Sequence, residues 1–149
     1  VLGILDRLLP KGELLRIVDK YGNEEKYDSD SKKFVQVPIA VLVNGNSASA
    51  SEVFSGAMKD RNAATIVGTN TFGKGIVQTI FSLRDGSGIK ITTAEFFTPS
   101  GNTIHGVGIS PDVEVELDEE QAALLAQRKL EHGADPQLQA ALVGLHDGP

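Results

Sequence analysis

Apolar positions change their period several times along the chain. Leu2, Leu5, Leu8 and Leu9, with Ile4 beside them, recur at helical spacing until Pro10 and Gly12 stop the pattern. Residues 14–19 and 26–27 read as strands around the Tyr21-Gly22-Asn23 turn, and 28–33 as a short, charged, solvated loop. Residues 39–43 form an unbroken apolar run, which suits a strand of a parallel sheet covered on both faces. Next come a polar turn (Asn44-Gly45-Asn46), a serine-rich stretch, and a one-sided stripe of Ala50, Val53, Phe54, Ala57 and Met58 that predicts an amphipathic helix to Asp60. Another apolar strand over 64–67 completes a βαβ unit, whose crossover is expected to be right-handed. The period then falls to two, and 76–83 and 89–97 predict a hairpin closed by Arg84-Asp85-Gly86-Ser87-Gly88. After a turn at Thr98-Pro99-Ser100-Gly101, residues 111–117 alternate apolar and acidic like an exposed edge strand. Asp118 caps a helix carrying Leu124, Leu125 and Lys129, and Asp135-Pro136 opens a last helix that runs to the end.

Length and charge narrow the picture. At 149 residues and 15.8 kDa the chain suits a single domain, read as an α/β core over 1–117 with a helical C-terminal extension over 118–149. A net charge of −6, without a cluster of Lys or Arg, argues against a nucleic-acid partner. The absence of cysteine removes disulfides, thiolate metal sites and a cysteine nucleophile. No stretch reaches the roughly 20 apolar residues of a membrane-spanning helix. Val1 opens directly into structured-looking sequence, so the chain reads as a fragment without a targeting signal of its own.

Candidate chemistry gathers where the parallel strand turns into the helix. Such a corner lifts one residue clear of the sheet and aims free helix N–H groups at whatever binds there. Ser49 stands at this corner, with the N–H of Ala50 placed to donate to an oxyanion. A serine hydroxyl needs a base, and Lys74, between Gly73 and Gly75, is the candidate. Phe72 and Ile76 are expected to supply an apolar pocket that disfavours its charged form. Gln78, four residues on, is expected on the same face, placed to orient the amine. Plainer readings stand beside these. Ser49 and Glu52 fit a capping box, and from the box alone that is the default. Lys74 also fits a surface lysine in a glycine turn. Asp60, at the unfavourable end of the helix dipole, reads as a salt-bridge partner with Arg61 adjacent. Gly68 to Lys74 spells G-x-x-x-x-G-K, yet Gly75 stands where a phosphate loop needs Ser or Thr, and a strand pattern follows. His105 lacks a fixed acid, and His132 and His146 lack metal spacing, so neither a metal nor any cofactor is expected.

Taken together, Val41-Leu42-Val43-Asn44, Ser47-Ala48-Ser49-Ala50-Ser51-Glu52, Asp60, Gly68, Thr71-Phe72-Gly73-Lys74-Gly75 and Gln78 resemble the C-terminal processing, or tail-specific, serine protease family. Asp85-Gly86-Ser87, Thr98-Pro99-Ser100-Gly101 and Gly106-Val107-Gly108-Ile109-Ser110-Pro111-Asp112 continue the resemblance in order. It implies Ser49 as nucleophile, Lys74 as general base, Gln78 as an orienting residue, Ala50 as one oxyanion donor and Asp60 in a supporting role. The implied fold is α/β, with a core of stacked βαβ units related to crotonases and Clp proteases, an antiparallel hairpin and C-terminal helices. Implied partners are polypeptides with exposed, apolar C-terminal tails; a homo-oligomer is left open. The implied location is exported: periplasm, cell envelope or thylakoid lumen. The family's second oxyanion donor, a glycine-rich segment after Asp-Leu-Arg, has no match before Ser49, and its PDZ module is absent from the chain.

A serine endopeptidase with a Ser–Lys dyad, cutting proteins near their C-termini, is therefore the leading expectation, and the fragment alone is expected to be compromised. The alternative is a non-catalytic peptide-binding or assembly module on the same fold. An acyl-thioester enzyme of crotonase type is weaker, because such enzymes need no Ser–Lys pair.

Overall fold

The computed structural model describes residues 1–30, 32 and 34–146. Its elements, in order, are α1 (Leu2–Leu8), β1 (Gly12–Asp19), β2 (Glu24–Ser29), β3 (Ala40–Val43), α2 (Ala50–Asp60), β4 (Thr65–Gly68), β5 (Ile76–Ser82), β6 (Gly88–Phe97), β7 (Val113–Glu114), α3 (Glu119–Ala126), a 3₁₀ turn (His132–Ala134) and α4 (Pro136–His146). They build two sheets, one with strand order β2-β1-β6-β5 and one with order β3-β4-β7.

The βαβ unit forms where the pattern changes predict it. β3 and β4 pair in parallel from Ala40 opposite Thr65 to Val43 opposite Gly68, with α2 between them in sequence. β7 adds to β4 in parallel, so the alternating 111–117 segment does make an edge strand, but only over two residues. The other sheet is antiparallel throughout. β5 and β6 form the expected hairpin, with a register shift between Val77 and Gln78, and β1 joins β2 locally and β6 from far along the chain.

One apolar cluster ties the sheets to the helices. Leu5 and Leu9 from the first helical turn-and-exit, Leu14 and Leu15 from β1, Val43 and Ile66 from the parallel strands, and Val53, Ala57 and Met58 from α2 are all buried in it, with Ile104 and Ile109. Successive strand residues point to opposite faces. Ile66 thus enters this cluster while its neighbour Val67 is buried on the other side, where α4 packs on β3 and β4. The continuous run over 39–43 is explained by this double cover, although Leu42 stays 42% exposed.

Three expectations change. Ala50 is exposed and Phe54 only half-buried, whereas Glu52, Ser55 and Gly56 are buried, so α2 hides a different arc from the one its apolar residues suggest. The cause is a polar and small-residue contact: a Cβ on Gly56 would lie 3.0 Å from both Ile109 and Thr98. Asp60 does not pair with Arg61. Its Oδ2 accepts the N–H of Ser100 at 2.8 Å, while the Arg61 guanidinium donates to the carbonyls of Pro10, Lys11 and Glu13. Asp28 and Ser29 belong to β2 rather than to a charged loop, and Ser29 is buried with its hydroxyl donating to Asp6 and to the Leu9 carbonyl. Residues 31 and 33 of that expected loop, and 147–149 beyond α4, lie outside the described residues.

Candidate active site

After β3 the chain makes a compact polar turn. The Asn46 N–H donates to Asn44 Oδ1, the Ser47 N–H to the Asn44 carbonyl, and the Asn44 N–H to Ser47 Oγ. Asn and Ser are suited to this because their short side chains replace backbone partners within a turn. The turn delivers Ser49 to the N-terminus of α2 in an unusual conformation, φ 55 and ψ −111. A positive φ on a residue with a Cβ costs on the order of 1–3 kcal/mol and persists only where surrounding contacts impose it. Strained strand-to-helix turns of this kind expose a nucleophile above a sheet.

What imposes the strain is Glu52. Its side chain is fully buried, and its two oxygens accept four hydrogen bonds. Oε1 accepts from Thr71 Oγ1 at 2.6 Å and the Gly73 N–H at 2.6 Å; Oε2 accepts from the N–H groups of Ser49 and Lys74, each at 2.8 Å. Four donors match the four lone-pair sites of a carboxylate. The backbone nitrogens of Ser49 and Lys74 share one oxygen, so they stand no further apart than twice 2.8 Å. A second tie, from the Phe72 N–H to the Ser47 carbonyl at 3.0 Å, joins the same two loops.

These contacts bear out the capping-box reading of Ser49 and Glu52 and extend it to the lysine loop. Ser49 and Glu52 form a capping box in which both halves are present: the Glu52 carboxylate accepts the Ser49 N–H, and the Ser49 side chain is set against the Glu52 N–H. The Glu52 N–H donates to the Ser49 carbonyl at 2.9 Å. The N–H of Ala50 donates to no acceptor among the described residues, and it faces the start of a helix, where partial positive charge accumulates.

On the lysine side, backbone packing dictates the glycines. Gly73 has φ +88, in the region that disfavours a Cβ, and its carbonyl accepts the Gly106 N–H at 3.0 Å. A Cβ on Gly75 would fall 2.5 Å from the backbone nitrogen of His105. Thr71 completes the joint, because its hydroxyl donates to Glu52 and accepts the Ile109 N–H at 2.7 Å.

The expected apolar pocket around the lysine does not form within the described residues. Glu52 draws the backbone of Gly73 and Lys74 inward, so Phe72 is turned out to 66% exposure and the Lys74 side chain is exposed. Gln78 is exposed on β5 just after the register shift, and no hydrogen bond joins its side chain to Lys74 or Ser49 among the described residues. Asp60 sits at the opposite end of the 11-residue α2, about 16 Å from Ser49 at 1.5 Å per residue. His105 is exposed beside Gly75, and no group of three or more His, Asp or Glu suited to a metal occurs among the described residues. Glu52 and Thr71 are the residues that sequence reasoning undervalued. A faint signal was present in Gly56 and Ser55, whose small size lets that side of α2 be buried.

Comparison with known proteins gives a consistent result. The sequence profile described as Peptidase family S41 matches residues 1–115. A carboxyl-terminal-processing protease of Synechocystis sp. is 40% identical over 134 residues, covering 90% of this chain and 30% of that protein. A chloroplastic C-terminal processing peptidase of Tetradesmus obliquus is 44% identical over 110 residues, covering 73% of this chain and 24% of that protein. Among solved structures, a photosystem II D1 C-terminal processing protease superposes with a TM-score of 0.70 at 42% identity, covering 80% of this chain and 31% of that one. The chain thus spans about a third or less of the length of these relatives.

Proposed function

The chain belongs to peptidase family S41, and on that premise we propose that it carries the nucleophile and base of a serine endopeptidase acting near the C-termini of polypeptides. Ser49 Oγ attacks the carbonyl carbon of the scissile bond while the Lys74 amine takes the hydroxyl proton. The proton then passes to the leaving nitrogen as the C–N bond breaks, and water releases the acyl group from Ser49. The Ala50 N–H donates to the oxyanion. Gln78 orients the Lys74 amine, and Asp60 supports the scaffold through Ser100. The observation that carries this reading is the shared Glu52 Oε2, which holds the serine and lysine loops together.

The relatives' names support a processing peptidase, and the chloroplastic one supports an exported location. Kinship with crotonases and Clp proteases is part of the same reading, supported by the parallel βαβ unit. Substrates are polypeptides whose tails are exposed and apolar. The test is incubation of the full-length protein that carries this chain with an unfolded reporter ending in an apolar tail, followed by intact mass. Wild type should shed C-terminal pieces, and Ser49→Ala and Lys74→Ala should not. Cleavage by either variant at the wild-type rate would remove the dyad from consideration. Equal tail binding by all three proteins, without cleavage by any, would favour the peptide-binding module.

A further inference from the structure

A cavity of about 400 Å³ opens at the carboxyl ends of the parallel strands, between the turn that follows β3 and helix α3. Its lining includes Asn46 from the turn, Thr69 after β4, Glu116 and Leu117 after β7, and Leu125 from α3. Crevices at the carboxyl ends of parallel strands are where α/β sheets bind ligands, and the volume falls in the range of sites for one or two side chains. We propose that this cavity is a specificity pocket for the polypeptide substrate, and that it selects a basic side chain, Lys or Arg, close to the bond that is cut. The inference rests on the peptidase reading above and names a substrate preference for that same site.

Position is the first argument. Asn46 precedes Ser49 by three residues, so their Cα atoms are at most about 11 Å apart even if the chain between them is fully extended. An extended substrate advances about 3.3 Å per residue. The Asn46 wall of the pocket therefore lies within about three residues of the scissile bond. Turn geometry fixes that placement, since Asn44, Asn46 and Ser47 bond to one another and the Ser47 carbonyl is held by the lysine loop.

Lining chemistry is the second. Leu117, Leu125 and neighbouring alanines of α3 give apolar walls, and Glu116 is the single ionisable residue of the lining. No lysine or arginine lines the cavity, and Glu116 makes no ion pair among the described residues. Lys and Arg lay an aliphatic stem along apolar surface and keep the charged head beside a carboxylate or water. Glu116 is itself exposed, so a basic side chain gains an ion pair that an apolar one forgoes, and an acidic one meets like charge. Gln137 closes the floor through a 2.7 Å hydrogen bond from its Nε2 to the Val115 carbonyl, which anchors the Glu116 segment to α4.

The test uses the full-length protein and peptides carrying a single Lys, Leu or Glu at each of the three positions on either side of the cleaved bond. Cleavage is measured with wild type, and binding is measured by fluorescence anisotropy with Ser49→Ala. At one position Lys should be favoured over Glu by about five-fold at low salt, the span of an exposed ion pair, and less so at high salt. Glu116→Gln should abolish that preference and Glu116→Lys should reverse it, while the other positions are unchanged. A preference absent at every position, or one that survives Glu116→Gln, overturns the proposal. Binding separates the two readings: an absence of cleavage with a Glu116-dependent preference in binding would remove the peptidase reading and leave the pocket standing. Cleavage indifferent to Glu116 would do the opposite.

Discussion

Ser49 keeps φ 55 with an L side chain, and Glu52 holds that conformation by accepting its N–H. Glycine adopts that region freely, so Ser49→Gly should relieve strain that Ser49→Ala retains. Allowing for the greater unfolded freedom of glycine, we expect Ser49→Gly to exceed Ser49→Ala by about 1 kcal/mol, or about 2–4 °C in Tm for a chain of this size. Equal melting temperatures by calorimetry would show that the turn is not strained. Glu52 makes the stronger case. Glu52→Ala strands three backbone N–H groups and the Thr71 hydroxyl, each costing on the order of 1–3 kcal/mol when buried, though not additively. A loss of at least about 3 kcal/mol in urea unfolding is expected, with Glu52→Gln intermediate because one acceptor oxygen survives. A loss under 1 kcal/mol would show that the two loops are held by other contacts. Sequence alone placed Ser49 at the corner because Ser-Ala-Ser-Ala-Ser-Glu follows an apolar strand and a polar turn. It left Glu52 as an ordinary cap, since a glutamate near a helix start is common at exposed ends and its buried partners, Thr71 and Gly73, lie about twenty residues away.

Helix α2 separates the candidate site at its start from scaffolding at its end. Asp60 caps the Thr98–Gly101 turn through the Ser100 N–H, so Asp60→Ala should cost about 1 kcal/mol of stability and leave any chemistry at Ser49 unchanged. A large loss of activity without a loss of stability would assign Asp60 a role this geometry does not contain. The β1–β2 hairpin offers a titration test. The side-chain amide of Asn23, with backbone N–H groups of Asn23 and Tyr21, holds the Asp19 carboxyl below the usual carboxylate range. A depressed carboxyl stabilises the folded state above its unfolded pKa, and that contribution is lost as pH falls through the folded one. Asn23→Ala should therefore move the Asp19 midpoint, followed by NMR, back up towards 3.8; an unmoved midpoint would mean that Asn23 does not set it. Elements with a clear period, such as α2 and the β5–β6 hairpin, were legible along the chain. The burial arc of α2 was not, because it is set by Ile109 and Thr98 packing onto Gly56 rather than by apolar residues of the helix itself.

At the scale of the molecule, the pairing of β1 with β6 was illegible because it joins strands far apart in sequence, with no turn between them to announce it. The same sheet leaves β5 as an edge, and Ile80, Phe81, Ile89 and Ile91 on its hairpin are 46–68% exposed. Unpaired edges with apolar side chains promote association. We therefore expect the chain to self-associate with rising concentration in light scattering, and Ile80→Lys to lower that association while changing stability by under about 0.5 kcal/mol, as surface substitutions do. Unchanged association would place the contact elsewhere. The central claim is the proposal that one buried carboxylate, by tying the Ser49 and Lys74 backbones together, sets a nucleophile and a base in one site. Its most direct measurement is an acid-quenched reaction of the full-length protein with an activated peptide ester, followed by tandem mass mapping of the acyl group. The acyl mass should sit on Ser49, be absent in Ser49→Ala, and form at least about 100-fold more slowly in Lys74→Ala. An acyl group on any other residue, or wild-type acylation in Lys74→Ala, would contradict the account.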